Sequence, residues 1–309
     1  MTIVIGTRGS KLALWQANWV RDQLVTAGAK VEIRIIRTTG DKLANVPLTQ
    51  SGTKGLFIKE IEEALAEGIV DLAVHSLKDL PTEQPPGLTV AAVPPREDAR
   101  DVLISRLGSR DGAGLMALPA GSKVGTSSLR RQSQSRALRR DVEVVPIRGN
   151  LDTRLRKLDA GEYDALVVAA AGIHRLGLRQ RVTEYFAVDA MCPAVGQGAL
   201  AIEVRKGDDR IERAVQPLDH WMTHQAVRAE RAALRELGGG CQVPIAVHAQ
   251  CEDDRLHLLG VVAAIDGRRI VRAANSGPAS EPDRLGTEVA RSLAEQGARE
   301  ILTTVTSDK

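Results

Sequence analysis

Two stretches of this chain follow one pattern. EALAEGIVDLAVHSLKDLP, at 63–81, and RKLDAGEYDALVVAAAGIHRLG, at 156–177, each run from a helical segment through a glycine and an aspartate into an apolar strand and a polar loop. The echo alone is weak, because Gly-x-x-Asp ahead of a strand is ordinary turn chemistry. Its surroundings strengthen it. TIVIGT and VEIRIIRT read as strands flanking the amphipathic helix KLALWQANWVRDQLVTAG, then come the helix FIKEIEEALAEG and the strands VDLAVHS and LTVAAVP. Farther on, KVGT, VEVVPIRG and DALVVAAAG read as strands separated by the helices SSLRRQSQSRALRR and LDTRLRKLDAG. Such alternation implies a mostly parallel sheet covered by helices, here twice over. Ligands of such sheets sit beyond the carboxyl ends of the strands. Two sheets facing each other would form a cleft there.

The remainder has a different character. After PAVGQGALAIEV comes a long helix, DHWMTHQAVRAERAALREL, closed by glycines that make an ordinary C-cap. Strand-like runs CQVPIAVHA, RLHLLGVVAAI and RRIVRAA follow, then a helix near 281–297. This reads as a small α+β domain.

Charge narrows the ligand. The net charge is +3, but residues 100–190 carry sixteen Lys and Arg, most of them Arg, against ten Asp and Glu. Arginine offers a planar fork matched to carboxylate or phosphate. Nucleic acid is disfavoured, because aromatic residues make up only 2% of the chain and leave few stacking platforms. A small polyanion fits better. No apolar run is long enough to span a bilayer. MTIVIGTRGS lacks the features of a signal peptide, so a cytoplasmic protein is expected.

Cys192, Cys241 and Cys251 are an odd number without CxxC spacing, so neither a disulfide framework nor a zinc site is expected. Cys241 stands in LGGGCQVP, directly after three glycines. Those glycines either end a helix ahead of a small buried thiol, or leave the sulfur open to close approach. His220 and His224 lie four apart on a helix but form no HExxH motif, which argues against a metal. GSKVGTS lacks phosphate-loop spacing; the helix after it, with Ser127, Ser128, Arg130 and Arg131, is either a capped solvated helix or an anion site. Arg8, Arg148, Arg154 and Arg175 sit at or just after strand ends, on the expected ligand edge. Lys78 and Asp79 follow a strand directly, as a turn ion pair or as a site. The long aperiodic segment 42–57 reads as a lid beside a cleft.

TRGSKLALWQ, GTKGLFIKE, AVHSLKDLP, VGTSSLRRQ, IRGNLDTRLRKLD, AGIHRLGL, PAVGQGA and GGGCQVP together resemble, in order, the motifs of the porphobilinogen deaminases, also called hydroxymethylbilane synthases. The resemblance covers essentially the whole chain. Lys11 departs from a common Pro, and Gly238 from a usual acidic residue. The resemblance implies a transferase of tetrapyrrole and haem biosynthesis. Four porphobilinogen molecules would add head to tail, with loss of ammonia, and linear hydroxymethylbilane would leave by hydrolysis. It implies a dipyrromethane cofactor held through a thioether on Cys241 and made by the enzyme from its own substrate, with no metal. Ser76, Lys78, Asp79, Thr126, Ser128, Arg130 and Arg131 would hold that cofactor. Arg8, Ser10, Gln16, Phe57, Arg148, Arg154 and Arg175 would hold substrate, whose rings each carry an acetate and a propionate. Asp79 would be catalytic, stabilising positive charge on pyrrole nitrogen and passing protons to departing ammonia.

The implied fold is a pair of periplasmic-binding-protein-like α/β domains with a hinge, 1–97 with 194–216 and 98–193, plus a C-terminal α+β domain, 217–309. A cytoplasmic monomer is expected, with porphobilinogen as its partner and neither nucleic acid nor membrane. The alternatives from other classes are a non-catalytic anion-binding protein of the same two-domain fold, which needs neither Cys241 nor Asp79, and a nucleic-acid binder resting only on the arginine excess.

Overall fold

The computed structural model describes residues 2–38, 58–106, 114–239 and 243–307, with side chains to 304. The segment expected to be a lid therefore lies outside the described residues, as do Phe57 and Cys241. In chain order the first elements are β1 (Thr2–Thr7), α1 (Lys11–Thr26), β2 (Lys30–Ile35), α2 (Lys59–Ala66), β3 (Leu72–Ser76) and β4 (Leu88–Ala92). Next come β5 (Asp101–Ser105), β6 (Lys123–Gly125), α3 (Leu129–Leu138), β7 (Glu143–Val145), α4 (Leu151–Asp159), β8 (Ala165–Ala169), α5 (Ala170–Arg175) and β9 (Glu184–Tyr185). The chain continues with β10 (Leu200–Arg205), α6 (Asp209–Val215), α7 (Trp221–Glu236), β11 (Ile245–Glu252), β12 (Arg255–Ala263), β13 (Ile270–Pro278), α8 (Pro282–Glu295) and α9 (Ala298–Ser307). Two compact units result: residues 1–96 with 199–224, and 97–198 with 225–309.

Unit 1 holds a five-stranded sheet of order β2-β1-β3-β10-β4. β1 runs parallel to β2 and β3, and β10 runs antiparallel to β3 and β4. Leu72, Val74, Ile202 and Val204 are buried in one core with Val20 and Leu24 of α1. Each such side chain contributes about 1.5–3 kcal/mol on leaving water.

Unit 2 repeats that plan. Its five-stranded sheet has the order β7-β6-β8-β5-β9, with β6 parallel to β7 and β8, and β5 antiparallel to β8 and β9. The echoed stretches thus become α2–β3 in one sheet and α4–β8 in the other, in equivalent places. In each case the one antiparallel partner of that strand, β10 or β5, is the strand that follows a crossing between units. Those two crossings lie at 96/97 and 198/199, and a third, at 224/225, falls within α7. Beside the second, Gly198 has φ of +87° and faces the Glu97 carbonyl so closely that a side chain would overlap it.

The C-terminal part of unit 2 is an antiparallel sheet, β11-β12-β13, covered by α8 and α9. Val247, Leu258, Val289 and Leu293 share its core with Ala229 and Ala233 of α7. Several details differ from the sequence expectation. The helix expected near 281–297 is α8, and beyond it, after Gly297 with φ of +91°, comes a further helix, α9, that the sequence reading did not anticipate. The run DALVVAAAG stops being a strand at Ala169, and AAGIHR coils into α5, so Arg175 ends a helix rather than a strand. β5, β9 and α6 were not apparent from periodicity.

Candidate active-site residues

In unit 1 the polar residues of interest follow β1 and β3 at their carboxyl ends. Arg8 leaves β1, and Ser10 caps α1, its Oγ accepting from the Ala13 N–H at 3.3 Å. Capping satisfies one of the orphan donors at a helix start. One turn later Gln16 is buried, and its amide donates to Ser76 Oγ at 2.8 Å. That bond ties α1 to the last residue of β3. The chain then makes a single 3-10 turn, Leu77–Asp79, anchored by buried Leu77. Lys78 is half-buried on this turn and Asp79 is exposed. A carboxylate so placed is held by backbone geometry and remains open to a ligand.

In unit 2 the equivalent positions are crowded with guanidinium groups. β6 ends at Gly125; Thr126 behind it is fully buried, and Ser128 caps α3 by accepting from the Arg131 N–H at 3.5 Å. Arg130 and Arg131, in the first turn of that helix, both turn inward to Asp101 on β5. Arg130 Nη1 donates to Asp101 Oδ2 at 2.6 Å, and Arg131 Nε to Oδ1 at 2.9 Å. Gln197 completes the cluster, donating to Asp101 Oδ1 at 2.8 Å and accepting from Arg131 Nη2 at 3.1 Å. Burial alone would raise the Asp101 carboxyl, but the charges of Arg130 and Arg131 overcome it and hold the group far below the usual carboxylate range.

The remaining arginines take other elements. Arg148 follows β7 in the loop to α4, half-buried. Arg154 lies one turn into α4, its Nε donating to the Gly149 carbonyl at 2.9 Å. Arg175, at the end of α5, is buried and donates to the Gly198 carbonyl at 2.7 Å. Burial pushes its pKa down to about 10, so it stays charged at neutral pH. The structure therefore groups Thr126, Ser128, Arg130, Arg131, Arg148, Arg154 and Arg175 beyond strand ends of one sheet. Arg8, Ser10, Gln16, Ser76, Lys78 and Asp79 are grouped on the other.

Two described cysteines are poor nucleophiles. Cys192 is buried, and burial pushes its thiol up to about 12. Cys251 is also raised, by partial burial and then by Asp254 and Asp253. A nucleophilic cysteine needs the opposite shift. His220 and His224 are occupied locally, with Nδ1 atoms 2.8 Å from Thr223 Oγ1 and from Asp219 Oδ1. Among the described residues no group of three His, Cys, Asp or Glu could hold a metal ion, and no helix is long and apolar enough to cross a membrane.

Sequence reasoning missed Asp101 and Gln197. Asp101 opens an apolar run, DVLIS, every residue of which is buried. A carboxylate at the edge of a fully buried strand demands a partner, and that is the signal that could have marked it. The donor set suits a ligand rich in carboxylates. Two guanidiniums face one carboxylate, leaving a buried positive charge, and Arg130 Nε is buried with no hydrogen-bond partner among the described residues.

Comparison with known proteins agrees along the chain. Residues 3–213 match the family model described as porphobilinogen deaminase, dipyromethane cofactor binding domain. Residues 224–295 match that described as porphobilinogen deaminase, C-terminal domain. The chain is 53% identical over 305 residues to the porphobilinogen deaminase of Desulforudis audaxviator, covering 98% of this chain and 97% of that one. It is 51% identical over 300 residues to that of Pelobacter propionicus, covering 96% and 95%. Among solved structures, it is similar to a periplasmic substrate-binding protein of an ABC transporter from Coxiella burnetii, with 16% identity, a TM-score of 0.43, and 70% of this chain and 91% of that chain covered.

Proposed function

The chain belongs to the porphobilinogen deaminase family, and from that premise we propose how its residues divide the work. The enzyme is a hydroxymethylbilane synthase. It joins four porphobilinogen molecules head to tail with loss of ammonia, on a dipyrromethane cofactor, in tetrapyrrole biosynthesis. When bound, the cofactor supplies the nucleophilic pyrrole carbon to which substrate rings are joined. We assign its thioether to Cys241, a reading supported by the GGGC motif and by the high thiol pKa of Cys192. Ser76, Lys78, Asp79, Thr126, Ser128, Arg130 and Arg131 would hold it.

The observation that carries this assignment is the charge excess of Arg130 and Arg131 over Asp101, inside a protein whose substrate bears two carboxylates per ring. Arg8, Ser10, Gln16, Phe57, Arg148, Arg154 and Arg175 take substrate carboxylates and ring edges. Arginine suits this role because its fork meets a carboxylate through two bonds. Asp79, exposed at the end of its turn, stabilises the positive charge that develops on substrate nitrogen as ammonia departs. In the same reading it passes a proton to the leaving amine.

The division into 1–97 with 194–216, 98–193 and 217–309 serves as the functional scheme, supported by one sheet in each part. A cytoplasmic monomer with no nucleic-acid partner completes the reading, in keeping with the free thiols of Cys192 and Cys251 and the 2% aromatic content. The test is direct. Purified protein incubated with porphobilinogen should yield a linear tetrapyrrole, and its intact mass should carry two pyrrole rings. Cys241→Ser should lack that added mass, while Cys192→Ser and Cys251→Ser keep it. An adduct on Cys241→Ser would sink the attachment site.

A further inference from the structure

Asp101 lies near the start of the 97–198 segment of unit 2 and Gln197 near its end. The chain crosses into unit 2 at Glu97 and leaves it after Gly198. Between those crossings α3 projects Arg130 and Arg131, and both guanidiniums converge on the Asp101 carboxylate, one per oxygen. Side-chain exposures are 4% and 8% for the arginines and zero for the aspartate. Further donors are fixed by protein oxygens: Arg130 Nη1 also reaches the Cys192 carbonyl at 2.7 Å, and Arg131 Nη1 reaches that of Val167 at 3.4 Å. Gln197 Nε2 is itself anchored on the Ala99 carbonyl at 2.7 Å. The other buried carboxylate of this region, Glu230, accepts from the backbone N–H groups of Gly196 and Ala249.

Charge counting then constrains the ligand. Taken by themselves, these two guanidiniums and one carboxylate carry a single net positive charge, and all three side chains are closed to water. Guanidiniums do not deprotonate, so that charge cannot be shed. Two adjacent arginines also repel each other unless something holds them. Asp101 does both jobs.

We propose that Asp101 is a positioning residue for cofactor loading, holding the guanidiniums of Arg130 and Arg131 in fixed planes so that the three groups together neutralise one carboxylate of the dipyrromethane rather than two. The inference rests on the reading that Arg130 and Arg131 hold the cofactor. It adds that their charge is already half spent, and that Asp101, which makes no contact with the ligand in this scheme, sets how much remains.

The test reads loading, not turnover. Apoprotein made in cells unable to supply porphobilinogen is mixed with porphobilinogen, and cofactor acquisition is followed by intact mass. Folding is checked in parallel by near-ultraviolet circular dichroism. Asp101→Asn keeps the shape but leaves two unbalanced charges, and should load at least about tenfold more slowly, the scale of one charge-assisted hydrogen bond. Arg130→Gln alone neutralises the cluster and should also load slowly. The double variant Arg130→Gln/Asp101→Asn restores one net charge and should load faster than either single variant. A purely structural role would not produce that rescue.

A parental loading rate in folded Asp101→Asn, with Arg131→Gln slow, overturns the positioning role alone. Parental rates in both Arg130→Gln and Arg131→Gln overturn the cofactor reading beneath it. Should Asp101→Asn fail to fold, the double variant is compared with Arg130→Gln: faster loading upholds the one-charge cluster, and equal or slower loading overturns it.

Discussion

Strands β10 and β5 occupy equivalent places in their sheets, and each buries one carboxylate completely: Glu203 in unit 1 and Asp101 in unit 2. The protein treats them differently. Both oxygens of Asp101 accept from fixed cationic donors. Glu203 has one oxygen 3.2 Å from His75 Nε2, its diagonal neighbour on β3, while Oε1 has no hydrogen-bond partner among the described residues. Nearby Glu62 is raised to about 7, first by burial and then by the charge of Glu203. One frame thus carries a charge-rich cluster whose carboxylate is paired at both oxygens and a sparsely paired, titratable one. The contrast separates two tasks. In the scheme proposed above, permanent cations beyond the second sheet retain a polyanion, and the first sheet offers an exposed acid, Asp79, to changing charge.

The sharpest way to break that division is to remove the charge of Asp79. At equal cofactor content, Asp79→Asn should turn over at least about 10²-fold more slowly, the usual loss for a preorganised charge-stabilising group. Asp79→Glu, which displaces the charge by one methylene, should keep measurable turnover. Rates are compared at matched cofactor loading, verified by mass. If Asn matches the parent while Glu fails, the residue acts through geometry and the first sheet has no electrostatic role.

Conservative changes on the second sheet should sort differently. Arg130→Lys and Arg131→Lys keep the charge but lose the fork, and should slow loading by about tenfold. Arg148→Lys and Arg154→Lys should load fully but accumulate species with too few rings, visible as a mass ladder on the protein. If all four load and turn over like the parent, the arginines of unit 2 are ordinary buried and surface charge.

The parts of this arrangement visible in the sequence are those set by near neighbours. The helix-Gly-Asp-strand echo is local, so it survived reading and led to the equivalent positions of β3 and β8. Ser10 and Ser128 announce their helices because capping depends on a few adjacent residues. The Asp101 cluster is different. Asp101 and Gln197 are 96 residues apart, and Gln197 and Arg131 are 66 apart, so no periodicity links them. β5 was hidden for a related reason: buried on both faces, DVLIS shows no alternation, and it follows the charged and proline-bearing run PPREDAR. α5 was hidden because AAGIHR reads as the continuation of an apolar strand. Family motifs located the arginines, but only the fold shows what already neutralises half of their charge.

The smallest expected effect tests the contrast between the two buried carboxylates through pH. Glu62 is raised to about 7, so the native protein keeps a proton that the unfolded chain releases near the ordinary glutamate value of 4.5. Between those values the native state binds more protons than the unfolded one, and stability therefore falls as pH rises from about 4.5 to about 7. Above that range the contribution is flat. Asp101 behaves in the opposite sense: its lowered pKa gives stability that is present above the ordinary aspartate value and is lost only on further acidification, so it contributes no slope between pH 5 and 8. Glu62 is only half-buried, and solvent screening trims its share to about 1 kcal/mol. Glu62→Gln cannot ionise and should remove that share of the slope. In thermal unfolding the variant should gain on the parent by about 2–4 °C between pH 5 and pH 8. Parallel profiles for parent and variant would mean that the acidic cluster of unit 1 is as well balanced as that of unit 2, and the distinction between the two sheets would then rest on Asp79 and the arginines alone.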